Sequence, residues 1–210
     1  MTLKKLINPI VILANGRYPS HQYPLEFIDK AKTIICTDGS ANKLKKHGLL
    51  PTFIIGDMDS IKNIKDFKDS EFHHFPNQDS TDLEKVFDYC MKYGIKKVSL
   101  LGATGIRNDH SLANFLFLIK YYDNLLIKLI TDTFTIECIK GKHSYSSYPD
   151  QTVSLIAIHR VKSVTTKGLK FPLKRQSISP SGLGVSNIAI GSRFTIKTSG
   201  EMLLFRRHIK

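Results

Sequence analysis

Aspartates recur where short apolar runs end. Asp38 stands in Thr37-Asp38-Gly39-Ser40 after Thr33–Cys36, and Asp57 and Asp59 stand in Gly56-Asp57-Met58-Asp59-Ser60 after Phe53–Ile55. Asp79 and Asp82 fall in Gln78-Asp79-Ser80-Thr81-Asp82, and Asp109 in the stretch Gly102–His110. Two carboxylates at i and i+2, with a glycine ahead to turn the backbone, can aim one way. Such a pair suits a Mg²⁺ ion that keeps its other positions for water and phosphate oxygens. Taken singly, an Asp-Gly or Asp-Ser pair is a common turn former, and an aspartate at a helix start is a common cap. Gathered at one sheet edge, the same charges repel unless a cation sits among them. Metal binding accounts for the whole set. Gly102-Ala103-Thr104-Gly105, followed by Arg107, adds backbone N–H groups and a cationic fork, both suited to polyphosphate. The Gly-Lys-Ser/Thr ending of a Walker A loop is missing.

The elements that must carry these residues follow from periodicity. Up to residue 140, β-branched runs at Ile10–Leu13, Thr33–Cys36, Phe53–Ile55, Lys97–Leu101 and Leu125–Ile130 alternate with helical patterns, which predicts βα units and a mainly parallel sheet. Leu83, Val86, Phe87, Cys90 and Met91 form one helical stripe behind a capping-box pattern, Thr81-Asp82-Leu83-Glu84. Leu112, Phe115, Leu116 and Ile119 form a second stripe behind the helix-start pair Asn108-Asp109. From residue 141 the pattern becomes period-two, at Val153–Ile158, Val161–Thr166, Arg193–Thr198 and Glu201–Phe205, the last two expected to form a hairpin across Ser199-Gly200. Lys174–Ser186 reads as a long exposed loop. The expected fold is α/β over 1–140, followed by a smaller all-β domain over 141–210.

Charge supports that division. The chain of 210 residues carries +13 in all. Residues 1–140 hold 19 Lys and Arg against 16 Asp and Glu, and residues 141–210 hold 12 against 2. A basic β-domain is a possible nucleic-acid surface. However, Tyr145, Tyr148, Phe171, Phe194 and Phe205 are scattered and make no stacking signature, so no nucleic-acid partner is expected. Lys167, Lys170, Lys174 and Arg175 read as solvated surface. Adjacent His73 and His74 would point to opposite faces of a strand and cannot easily share an ion. Cys36, Cys90 and Cys138 sit apart in apolar stretches and read as buried thiols. No run of about 18 uncharged apolar residues occurs, and the leading segment breaks at Pro9 before it could act as a signal h-region. The expected setting is cytoplasmic, with no membrane partner.

In order along nearly the whole chain, Asp38-Gly39-Ser40-Ala41-Asn42, Pro51–Ser60, Gln78–Lys85, Gly102–His110, Val164–Leu173 and Ser186-Asn187 resemble the thiamin pyrophosphokinase family. The resemblance implies a Rossmann-like N-terminal domain for ATP and Mg²⁺, a sandwich-like C-terminal β-domain, and a homodimer with thiamin between subunits. It implies Mg²⁺ on Asp57, Asp59 and Asp82, and places Arg107 and Asp109 on the nucleotide side. Asp38 is implied near the reacting groups with Asn42 on the same wall, and either Asp38 or Asp109 could act as base. Gln78, Ser186 and Asn187 resemble thiamin contacts, and Asp79, Thr81, Gly102 and His110 complete the implied binding set. Two departures stand out. The chain has no Trp for ring stacking, and Ile188 follows Asn187 where bacterial relatives often carry an acidic residue. Pyrophosphoryl transfer to another alcohol, such as a hydroxymethylpterin, is the competing enzyme reading.

Overall fold

The fold is described from a computed structural model over residues 4–208. By packing the chain divides into two compact units: one runs to Asn114 and takes up Asp123–Asp132, and the other comprises Phe115–Tyr122 and the chain from Thr133 onward.

In the first unit, β1 (Ile10–Leu13), β2 (Thr33–Thr37), β3 (Phe53–Gly56), β4 (Glu71–His74), β5 (Lys97–Leu101) and β6 (Leu126–Ile130) pair in the order β6-β5-β1-β2-β3-β4. Every pairing is parallel. β1 and β3 are buried at every position, as expected of strands covered on both faces. The helices are α1 (Gln22–Asp29), α2 (Asp38–Lys46), α3 (Asp82–Lys92) and α4 (Asn108–Lys120), with a short 3₁₀ turn at Ile64–Phe67. Val11, Leu13, Cys36, Ala41, Leu44, Ile54 and Phe67 form one core cluster.

α3 starts where its sequence says it should. Thr81 Oγ1 accepts from the Glu84 N–H at 3.3 Å, and Glu84 Oε2 accepts from the Thr81 N–H at 3.0 Å. Thr81→Ala is therefore expected to lower stability by about 1 kcal/mol, measured by denaturant unfolding. α1 and α2 carry weaker signals. His21 caps α1 through Nδ1, Pro24 falls within it, and α2 is mostly polar, burying only Ala41 and Leu44 among its large or apolar side chains. The α4 stripe departs from expectation: Leu112 and Leu116 are exposed, while Asn114 and Leu118 are buried.

Asp132, just past β6, ties the α1 entry down. Its carboxylate accepts from Ser20 N–H at 2.9 Å, His21 N–H at 3.0 Å and Ser20 Oγ at 2.6 Å. Burial alone would raise its pKa, but these bonds outweigh it and hold the pKa below the ordinary carboxylate value. A depressed folded-state pKa gives stability that is present above the unfolded value of about 3.9 and is lost as pH falls through the folded one. Asp132→Ala is expected to cost about 1–2 kcal/mol near neutrality, with the gap to the parent closing as unfolding is followed to pH below about 4.

In the second unit, β7 (Phe134–Ser146), β8 (Thr152–Ile156), β9 (Val161–Lys167), β10 (Gln176–Ile178), β11 (Asn187–Ile188) and β12 (Arg193–Arg207) are all antiparallel where they pair with one another. Their core gathers Ile139, Val153, Leu155, Val164, Ile178, Phe194, Ile196 and Leu204. The hairpin expected at Ser199-Gly200 is not formed. β12 runs through it as one strand against β7, with a register irregularity between Thr198 and Met202. Thr198 Oγ1 bonds locally to the Gly200 carbonyl at 2.8 Å, so the Ser-Gly pair makes a bulge rather than a turn. The expected loop Lys174–Ser186 contains β10, whose Ile178 is fully buried. Lys167, Lys170, Lys174 and Arg175 are exposed. All three cysteines are buried, and burial pushes the Cys36 and Cys90 thiols up to about 12. His73 and His74 part as expected. His73 Nε2 meets Tyr89 Oη at 2.9 Å and Glu71 Oε1 at 3.0 Å, whereas His74 is exposed. Among the described residues no helix is long and apolar enough to cross a membrane.

Candidate active site

The strand order reverses at β1. The chain steps outward through β2, β3 and β4, then returns to lay β5 on the other side of β1. Open parallel sheets carry their ligand crevice at such a switch point, beyond the carboxyl ends of the strands. A cavity of about 620 Å³ opens there, lined by Asn15 and Gly16 after β1, Thr37 and Asp38 at the end of β2, and Ala103 and Thr104 after β5. Thr81 and Asp82 from the start of α3, and Arg107, Asp109 and His110 at the start of α4, complete its wall.

Glycines let the backbone segments close on one another. Gly16 N–H donates to the Gly102 carbonyl at 2.6 Å, and Arg17 N–H to that of Thr104 at 2.8 Å. A Cβ on Gly16 would lie 2.3 Å from the Gly102 oxygen and 2.6 Å from that of Thr104. Gly102 itself has φ of 64°, and a Cβ there would lie 2.6 Å from the Ala14 oxygen. Both positions are closed to any side chain.

Below this loop the carboxylates converge. One oxygen each from Asp38, Asp57 and Asp59 lie within 4.8 Å of one another. The turn that aims the last two includes Met58 in the left-handed region, φ 68°, an unusual setting for a side chain of that size. Asp59 N–H donates to Asp57 Oδ1 at 3.3 Å, Ser60 Oγ to Asp59 Oδ1 at 2.8 Å, and Ser60 N–H to Asp38 Oδ2 at 3.2 Å. Asp82 flanks the trio: a Cβ on Gly56 would lie 3.2 Å from both Asp38 Cβ and Asp82 Cγ. Asp38 joins Asp57 and Asp59 in this group, and Asp82 beside it receives the ammonium of Lys85, only 7% exposed, at 3.0 Å.

Burial raises the Asp38 pKa to about 6, against N–H bonds from Ser60 and Gly39 and with the carboxylates of Asp82 and Asp57 adding to the rise. Asp57 is held below the usual carboxylate range, first by a bond from Gln78, then by the Asp59 N–H. A buried carboxylate pressed against like charges is what a divalent cation would relieve, and an all-oxygen donor set with room beside it suits a hard ion. The residues present therefore fit Mg²⁺.

The other expected positions divide. Gln78 Nε2 donates to Asp57 Oδ2 at 3.2 Å. Asn42 shapes the acidic turn, donating to the Ser60 carbonyl at 2.8 Å and accepting from Lys62 N–H at 3.3 Å. Arg107 and Asp109 form a two-point pair at the cavity lip, with Nε to Oδ1 at 3.1 Å and Nη2 on Oδ2. That fork holds Asp109 down to about 2. Asp79 is exposed and does not line the cavity. In the second unit, Ser186 takes a left-handed φ of 57°, and Asn187 is buried with its amide engaged by Phe171. Its Oδ1 accepts from Phe171 N–H at 3.0 Å and its Nδ2 donates to the Phe171 carbonyl at 2.7 Å.

Some groups at the site carry little sequence signal. Lys43, on α2, donates to the Asn15 and Gly16 carbonyls at 2.7 and 2.6 Å, and burial lowers its pKa, with Lys46 adding to the effect. Asn114 Nδ2 donates to the Ala103 carbonyl at 2.7 Å from a buried position. Lys85 lies within the Gln78–Lys85 motif, yet only its place beneath Asp82 reveals its use.

An α/β unit with a carboxylate cluster at the switch-point cavity, followed by a β-rich unit, has the layout of an enzyme that works at the strand ends of its sheet. The family models agree: "Thiamin pyrophosphokinase, catalytic domain" matches residues 25–129, and "Thiamin pyrophosphokinase, vitamin B1 binding domain" matches residues 134–203. The chain belongs to the thiamin pyrophosphokinase family. Among similar proteins, thiamin pyrophosphokinase 1 of Caenorhabditis elegans is 25% identical over 191 residues, covering 83% of this chain and 79% of its own. Thiamine pyrophosphokinase 1 of Oryza sativa subsp. japonica is 28% identical over 229 residues, covering 92% and 84%. The crystal structure of thiamine pyrophosphokinase from Bacillus subtilis superposes with a TM-score of 0.81 at 25% identity, covering 96% of this chain and 99% of that one.

Proposed function

We propose that the chain transfers the pyrophosphoryl group of ATP to the hydroxyl of thiamin, releasing AMP. The observation that carries this reading is the convergence of the Asp38, Asp57 and Asp59 oxygens within 4.8 Å beside the cavity, in a chain matched by both family models. Asp57 and Asp59 would hold Mg²⁺, with Asp38 and Asp82 flanking it, and the bound ion would neutralise charge on the phosphates.

The alcohol oxygen attacks the β-phosphorus as the bond from that phosphorus to the α,β-bridging oxygen breaks, and AMP leaves with the bridging oxygen. Transfer of this kind asks the protein mainly for position and electrostatic support. The loop at Gly102–Gly105 offers backbone N–H groups, and Arg107 offers its fork once a phosphate competes with Asp109. Of the two carboxylates considered as base, Asp109 is occupied by the two-point pair with Arg107, whereas Asp38 stands in the acidic cluster at the cavity, and Asp38 is proposed to take the alcohol proton. The Rossmann-like character of the first unit is supported by its parallel order and switch point, and a sandwich-like second unit, a homodimer, thiamin bound between subunits and a cytoplasmic setting are proposed with it.

The test is to incubate the protein with ATP, Mg²⁺ and thiamin. AMP and thiamin diphosphate in equal amounts are expected. ADP with thiamin monophosphate, or no thiamin-dependent product, would overturn the proposal.

A further inference from the structure

Lys43, Lys45 and Lys46 stand toward the end of α2, and of the three only Lys43 lines the cavity. A lysine there ordinarily bonds the last carbonyls of its own helix or a nearby carboxylate. Lys45 follows that habit and meets Asp66 at 2.5 Å. Lys43 does not. Both of its bonds leave the helix, to the Asn15 and Gly16 carbonyls of the loop after β1 at 2.7 and 2.6 Å. Lys30 and Lys85 meet carboxylates at 2.8 and 3.0 Å, whereas no acidic side chain pairs with Lys43 among the described residues.

A half-buried ammonium with no counter-charge is costly. Burial lowers the Lys43 pKa, with Lys46 adding to the effect, as expected of a cation that nothing nearby neutralises. The two loop carbonyls occupy two of its three N–H donors and leave the third unused. Both carbonyls belong to residues that line the cavity, as Lys43 itself does, so the ammonium is fixed at the cavity wall and open to what enters. The loop is held from its other side by the Gly16 N–H on the Gly102 carbonyl at 2.6 Å, so the cation is held in place before any ligand arrives. A phosphate chain, still anionic after a divalent ion has bound it, would supply the missing negative charge, and lysine serves phosphate as a point charge.

We infer that Lys43 is a substrate-contacting residue whose ammonium, pinned by two loop carbonyls, donates its third N–H to a phosphate oxygen of a nucleoside triphosphate seated in this cavity. The inference rests on reading the cavity as the nucleotide site. Lys43 offers a cation already in place, where Arg107 must first part from Asp109.

The test pairs calorimetric binding of a non-hydrolysable ATP analogue with Mg²⁺ and lysine labelling of the unaltered protein by acetic anhydride, read by peptide mass spectrometry. Lys43→Met keeps the stem and removes the charge. It is expected to weaken analogue binding about tenfold to a hundredfold, the worth of one hydrogen bond to a charged group. Labelling of Lys43 should fall in proportion to the fraction of protein carrying analogue, while labelling of Lys45 and Lys46, both exposed and outside the cavity lining, stays constant. The labelling arm needs no variant, so it decides even where Lys43→Met fails to fold. Parent-like binding by Lys43→Met overturns the assignment. Weakened binding by the variant with no protection of Lys43 in the unaltered protein also overturns it, leaving Lys43 as a support for the loop. Failure of the unaltered protein to bind the analogue overturns the nucleotide site and the assignment together.

Discussion

Asp57→Asn is expected to lower thiamin diphosphate formation by roughly 10²–10³-fold, the usual cost of losing one group that stabilises charge during reaction, while the fold survives. Asp57 belongs to the converging trio and sits at the cavity end of β3. Its depressed pKa, caused first by Gln78 and then by the Asp59 N–H, keeps it ionised at neutral pH. Asparagine preserves the outline, and its single amide oxygen can keep one of the two bonds, from the Asp59 N–H or from Gln78, so stability should fall by about 0.5–1.5 kcal/mol, the net worth of one hydrogen bond. Initial rates, thermal unfolding and a Mg²⁺ titration check the three parts. A folded variant with near-normal turnover would show that this carboxylate does no electrostatic work.

Gly16→Ala is expected to damage stability and activity together. The added Cβ would meet three backbone atoms inside 3.0 Å, the Gly102 and Thr104 oxygens and the Thr104 nitrogen, and backbone cannot swing aside as a flexible side chain can. Overpacking of this kind costs about 1–3 kcal/mol. Relief requires parting the β1 and β5 loops, breaking the Gly16-to-Gly102 and Arg17-to-Thr104 bonds that shape the cavity rim. The melting temperature should fall, and protection by added ATP analogue should fall with it. Gly182→Ala is the control, because nothing lies within 4 Å of its added Cβ. Equal behaviour of the two variants would mean that the loop contact is dispensable.

How far the sequence could be read depended on how local each signal was. β1, β2, β3 and β5 were legible as short β-branched runs, and α3 announced itself through its reciprocal cap and apolar stripe. α2 was not legible, since Asp38-Gly39-Ser40 looks like a turn and only Ala41 and Leu44 mark a buried face. The bulge in β12 was mistaken for a hairpin because Ser-Gly serves both, and pairing with β7 decided between them. The aspartates could be found by type and spacing. That Asp38 joins Asp57 and Asp59 while Asp82 is engaged by Lys85 depends on the closeness that Gly56 permits, which no spacing encodes. Lys43 was invisible for the same reason: its two carbonyl partners lie 27 and 28 residues away.

The boundary between the two units falls inside α4, so Phe115–Tyr122 packs with the later part of the chain. The Phe115 ring stands edge-on to Phe205 at 5.6 Å, and Leu118 and Tyr121 are buried. Neither half can therefore be lifted out by a single cut. A truncation ending after β6 would strand that amphipathic turn with its apolar side uncovered, inviting aggregation. Recombination between relatives would need crossovers at three junctions at once, which ties the evolutionary fate of the two halves together.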